Sequence, residues 1–221
     1  MLAASLESMQ HQSAHELAPL LGPVILPIVF IVLIVFAVKH IGVIAHEGAH
    51  AITGRSMGRK VRYVKLNSDA TGETFTLGPE RGLRRALTSF AGYLGPSIFG
   101  LGAASLIALG YSRAVLGLTL LFLLIILFRV RNLFGVISVL ANGALLVLVM
   151  RYGSAKLQEG AAYCLSWLLL LSGVVHVLTD GSNAGDARRL RDLTHIPRIV
   201  WFTLWLVITV AALVAGARIL T

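Results

Sequence analysis

Two histidines and a glutamate interrupt an otherwise apolar stretch, IAHEGAHAITG (Ile44–Gly54). On a helix, positions four apart share a face. His46 and His50 can therefore aim two imidazoles at one ion, as a zinc site needs. Glu47 follows the first histidine in the order of the H-E-x-x-H pattern, in which the glutamate serves as base. Zinc lowers the pKa of a water it binds to about 7, and Glu47 can take the proton and deliver it to a leaving amine. A proton relay or a pair of packing histidines could use the same residue types, but neither requires this order. Ionisable groups beside a membrane-length apolar run are costly and point to function.

The elements that must position these groups follow from composition. The chain has 221 residues, 57 % hydrophobic and 13 % charged, where a soluble domain carries about a quarter charged residues. Apolar runs near the length of about 20 residues that spans a bilayer recur along it. The fold expected is an all-α polytopic membrane protein, one domain over 1–221, with about six transmembrane helices. These are placed at Leu21–His40 (continuing towards Thr53), Leu87–Leu109, Ala114–Phe128, Leu133–Met150, Ala161–Leu178 and Ile199–Ala217. The third is short for a span. The tail 1–20 contains no Lys or Arg and so lacks a signal peptide's basic region; the first span is expected to stay in the mature protein. His11 and His15 in that tail have no glutamate between them and read as solvated. Cys164, the single cysteine, excludes an intramolecular disulfide and reads as a packing residue.

The formal net charge is +9, and its distribution argues against nucleic acid. Fifteen of the 19 Lys and Arg residues follow the first, third or fifth span, leaving Arg113, Arg151, Lys156 and Arg218 on the other side. That is a positive-inside bias. It places the basic loops in the cytoplasm and the protein as a multi-pass component of the plasma membrane, in contact with the lipid bilayer.

Between the first two spans, residues 54–85 form the longest polar stretch. Within it, VRYVKLNSDATGETFTLG carries β-branched and aromatic residues on both sides of a turn-forming cluster, which predicts a small cytoplasmic β-hairpin. Its edge, around Gly72, Glu73 and Thr74, could pair with an extended peptide by strand addition. In the next span, Ala91 and Gly95 make a small-xxx-small pair for close helix packing, and Pro96 predicts a kink. A catalytic zinc usually takes three protein ligands. The charge count brings the loop 179–198, with Asp180, Asp186, Asp192 and His195, to the same membrane face as His50. Asp69, Glu73 and Glu80 are further carboxylates there, explained by turn and strand positions.

HEGAH beside a first span, a Gly-containing hairpin, AGYLGP in the next span and a late carboxylate loop together resemble the site-2 protease family of intramembrane zinc metalloproteases. More narrowly they resemble its compact branch without a PDZ domain. The resemblance runs from about Ile41 to Trp201. It implies a metalloendopeptidase with one Zn2+ per chain, His46 and His50 as ligands, Glu47 as the residue that activates water, and a transmembrane protein as substrate. The Leu-Asp-Gly stretch that gives most of the family its third ligand is missing. GDARRLRDLTHIPRIVW resembles the equivalent segment of the compact branch and favours Asp186, with Asp180 of TDGSN as second choice. Asp192 is expected to pair with neighbouring arginines, and Asn132 and Asn142 are further polar candidates. A catalytically inactive scaffold, a proton-coupled transporter and a metal-dependent hydrolase of a non-peptide bond remain alternatives.

Overall fold

The computed structural model describes residues 39–180 and 185–221. The expected first span, Leu21–His40, and the tail histidines fall almost wholly outside the described residues, as does the side chain of Asp180.

A helix described over residues 39–56 (α1) carries HEGAH. Gly58 ends the turn that follows with a φ of 73°, a conformation open to glycine at no steric cost. The predicted hairpin forms next, from Lys60–Leu66 (β1) and Gly72–Leu77 (β2), paired antiparallel. Its turn is closed by Asp69, whose carboxylate accepts bonds from the Thr71 amide and hydroxyl. Those bonds hold the Asp69 carboxyl below the ordinary carboxylate range. Then come Leu83–Ala108 (α2), Ser112–Leu127 (α3), Leu133–Tyr152 (α4), Ala155–Asp180 (α5), Gly185–Thr194 (α6) and Arg198–Leu220 (α7).

Four of these, α2, α4, α5 and α7, are long and apolar enough to cross a membrane. α3 has 16 residues and falls short of a span, so the described residues carry four of the six spans expected. α2 runs through Pro96 as one helix. Gly92 and Gly95 lie against α1: a Cβ at Gly95 would fall 2.4 Å from that of Ala49. Residues 185–194, within the loop expected over 179–198, form a helix. Its apolar stripe, Ala187 and Leu190, is fully buried among Tyr93 of α2, Val177 of α5 and Trp205 of α7, while its arginines point outwards. The Trp205 indole N–H donates to the Phe90 carbonyl and locks α7 to α2.

A second core joins Val43 and Ile44 of α1, Val64 and Leu66 of β1, and Leu123, Ile126, Val130 and Val139 around α3 and α4. Here β1 gains a neighbour on its far side. The Val64 amide donates to the Arg129 carbonyl and the Arg131 amide to the Val64 carbonyl, at 2.9 and 3.1 Å. Asn132 extends this contact like a strand residue, its side chain receiving from the Leu66 amide and donating to the Leu66 carbonyl. With β1 flanked on both sides, β2 is the open edge among the described residues.

Arg59, read from the sequence as one of the loop cations, is 1 % exposed. Its guanidinium donates to the Thr76 hydroxyl, the Thr76 carbonyl and the Pro79 carbonyl, fastening β2 and its exit to the end of α1.

Replacing Asn132 with alanine strands both polar groups of buried Leu66, at a cost of about 1–3 kcal/mol. Thermal unfolding in detergent should show this loss, with Asn142→Ala, whose amide bonds only the Ser138 carbonyl of its own helix, much less affected.

Candidate metal centre

His46 and His50 lie one turn apart on α1, their rings edge-to-face with centroids 4.7 Å apart. Their Nε2 atoms are 3.0 Å from each other. Asp186, in the first turn of α6, brings Oδ2 to 2.9 Å from His50 Nε2 and 3.4 Å from His46 Nε2. Bonds of about 2.0–2.1 Å to a tetrahedral zinc place neighbouring donors about 3.3 Å apart. The three separations found are close to that edge length, and two imidazoles with one carboxylate are a donor set zinc takes while keeping a position open. The residues therefore fit the ion that the sequence implies. Among the described residues these three are the one group of His, Cys, Asp or Glu side chains so gathered.

Each donor is held from behind. The His50 Nδ1–H donates to the Thr88 carbonyl at 2.6 Å, which turns Nε2 towards Asp186 and His46 and fixes the ring's orientation. The His46 ring rests edge-on against Tyr93 of α2, with centroids 4.7 Å apart at 89°. Asp186 places its second oxygen, Oδ1, 3.4 Å from the Arg189 guanidinium. Burial works against ionisation of Asp186, but the neighbouring charge of His50 and hydrogen bonds from both histidines hold its carboxyl well below the usual carboxylate range. An ionised carboxylate is the form that binds metal.

The close approach of α2 depends on Gly92, where a Cβ would lie 2.4 Å from His50 Nε2 and 2.6 Å from His46 Nε2. Glu47, one residue on from His46, turns towards the hairpin. It is 4 % exposed, and its Oε2 has no hydrogen-bond partner. β2 passes directly over it. A Cβ at Gly72 would fall 2.6 Å from Glu47 Cγ and 2.7 Å from Oε1, and the Thr74 hydroxyl donates to the Glu47 carbonyl at 3.0 Å. The chemistry available is thus a cation-binding trio, a buried carboxylate with a free oxygen beside it, and an open strand edge alongside.

With that geometry in place, comparison with known families is decisive. A family model, Peptidase M50B-like, matches residues 20–216. The chain belongs to the Peptidase M50B-like family. This is a site-2 protease family, whose M50 peptidases are zinc metalloproteases. No curated protein and no solved structure matches the chain. Membership of the M50B-like family and the four apolar helices together make this an integral membrane protein of a protease family.

The remaining residues singled out in the sequence are dispersed. Gly72 and Thr74 face α1, whereas Glu73 lies on the exposed side of β2, in register with Lys65. Asp192 pairs with Arg191 at 2.7 Å on the surface, as expected. His195 sits exposed beyond α6 with a φ of 60°, Asp69 is spent on the hairpin turn, and Glu80 is exposed. Thr88, Tyr93 and Arg189 were not foreseen. The first contributes a backbone carbonyl, which every residue type has, so no side chain could have announced it.

Gly92→Ala should weaken zinc binding at least about tenfold, the order of loss seen when a ligand's support is disturbed. Gly102→Ala, in the same helix with nothing within 4 Å of the added methyl, should leave it unchanged. Chelator competition on the two purified proteins checks both.

Proposed function

We propose that the chain is an intramembrane zinc endopeptidase, cleaving a peptide bond within or beside a transmembrane segment of another protein. The observation that carries this reading is the meeting of His46, His50 and Asp186 around one point, with the buried Glu47 following His46 on the same helix. His46, His50 and Asp186 would hold one zinc per chain. When bound, the zinc polarises the scissile carbonyl and acidifies a water. Glu47 takes a proton from the attacking water on its carboxylate and hands it to the nitrogen of the leaving amine. Its burial at 4 % exposure removes competing solvent.

A transmembrane helix keeps its peptide groups in its own hydrogen bonds, so the substrate must be unwound before attack. The open edge of β2 at Gly72, Glu73 and Thr74 supplies backbone partners for such an extended segment. Gly72 lets that strand pass within contact of Glu47, so a segment added to β2 would run alongside the catalytic carboxylate. The positive-inside distribution of Lys and Arg supports a site opening towards the cytoplasm from the plasma membrane.

Glu47→Gln separates this reading from a silent scaffold or a proton pathway. Reconstituted with single-span membrane proteins and read by mass spectrometry of the products, the variant should keep its zinc and lose cleavage by about 10²–10⁴-fold. Undiminished cleavage in Glu47→Gln, or cleavage that survives complete removal of zinc, would reject the mechanism.

A further inference from the structure

Positive charge gathers without compensation where the hairpin runs into α2. Arg59 is buried, and its guanidinium donates only to neutral acceptors, the Thr76 hydroxyl and the Thr76 and Pro79 carbonyls. A buried charge is ordinarily paired with an opposite one. Arg85, in the first turn of α2, brings a second guanidinium to the same hydroxyl, each donor lying 3.1 Å from it. Two like charges thus meet at one oxygen, in a partly buried setting where repulsion exceeds its value in water. Arg84 reaches back over the turn that follows α1, where a Cβ at Gly58 would lie 3.7 Å from its Nη1. Arg81 stands exposed just before the helix. Among the described residues, none of these four arginines has a carboxylate within ion-pair distance. Glu80, exposed in the same stretch, pairs with none of them, and Asp186 is engaged by His46 and His50.

The surface beside this charge is apolar. Leu83 and Leu87, one turn apart on α2, are 73 % and 37 % exposed. α2 is among the helices long and apolar enough to cross a membrane, so its first turn stands where hydrocarbon gives way to headgroups. An exposed apolar stripe that starts at a cluster of unpaired guanidiniums is the complement of an anionic phospholipid. Guanidiniums match phosphate oxygens in geometry as well as in charge. An acidic protein segment would satisfy the arginines and leave Leu83 without a partner.

We propose that Arg81, Arg84 and Arg85 bind the phosphate of one anionic phospholipid, with an acyl chain lying along Leu83 and Leu87, in the leaflet that meets the hairpin. The bound phosphate offsets the uncompensated charge of Arg59. Because Arg59 and Arg85 both hold Thr76, it also steadies the end of β2. This surface is separate from the metal centre and goes beyond the proteolytic reading.

The purified full chain in neutral detergent, titrated with dioleoylphosphatidylglycerol or dioleoylphosphatidylcholine and read by native mass spectrometry, tests the proposal. The native chain should retain one phosphatidylglycerol in preference to phosphatidylcholine. Arg81→Gln with Arg84→Gln removes two exposed, unpaired side chains and should weaken that binding about 25-fold, on the order of fivefold per arginine. Arg113→Gln with Arg151→Gln takes the same charge from the opposite loops and should leave it unchanged. Equal retention of the two lipids by the native chain would overturn the site, and so would equal behaviour of the two variant pairs. Displacement of the lipid by glycerol phosphate at equal concentration would also overturn it, because Leu83 and Leu87 would then add nothing. A glutamate-rich peptide that binds the native chain more tightly than the lipid does, and fails to bind the Arg81/Arg84 variant, would assign the patch to protein instead and reject the lipid.

Discussion

A carboxylate buried against two imidazoles must be held there, because carboxylates and histidines are both better solvated by water than by helix interiors. In this protein the force that holds Asp186 in place is hydrophobic and comes from the other side of the same helix. Ala187 and Leu190, both 0 % exposed, seat α6 in the socket made by Tyr93, Val177 and Trp205. Asp186, one residue before that stripe, is thereby turned towards α1. Asp186 and the two histidines it meets lie 136 to 140 residues apart in sequence, and α2 is the element that touches both sides of the trio. It packs its Tyr93 against His46 and against Trp205, and gives its Thr88 carbonyl to His50.

The packing of the hairpin on α1 obeys a second constraint, that of strand geometry. Alternation along β2 sends Gly72, Thr74 and Thr76 towards α1 and Glu73, Phe75 and Leu77 away. The three inward residues each do something different. Gly72 leaves room for Glu47, Thr74 ties the strand to the Glu47 carbonyl, and Thr76 accepts from Arg59 and Arg85. The hairpin is thus pinned at both ends of its inner face. Its outer backbone edge is open among the described residues, which is the arrangement strand addition requires.

Local features were legible in the sequence and non-local ones were not. HEGAH declares its geometry because helical spacing alone puts His46 and His50 together. The hairpin declared itself through turn chemistry, and the late carboxylate through charge counting and family resemblance. The α6 helix was missed because GDARRLRDLT has only a two-residue buried stripe and gains its stability from a socket built by three other helices. The burial of Arg59 is not legible in the sequence because its acceptors, at Thr76 and Pro79, come from the far strand of the hairpin and the turn after it. The close approach at Gly92 is not announced by a small-residue pattern, because the atoms it makes room for belong to another helix.

The central claim is that one zinc is held jointly by α1 and α6. Zinc per chain, measured on purified native protein and on Asp186→Ala, tests it without a substrate. The account predicts about one zinc in the native protein, lost or greatly weakened in the variant. One zinc in both proteins would contradict the joint site, and none in the native protein, even after reloading, would contradict the metal centre altogether.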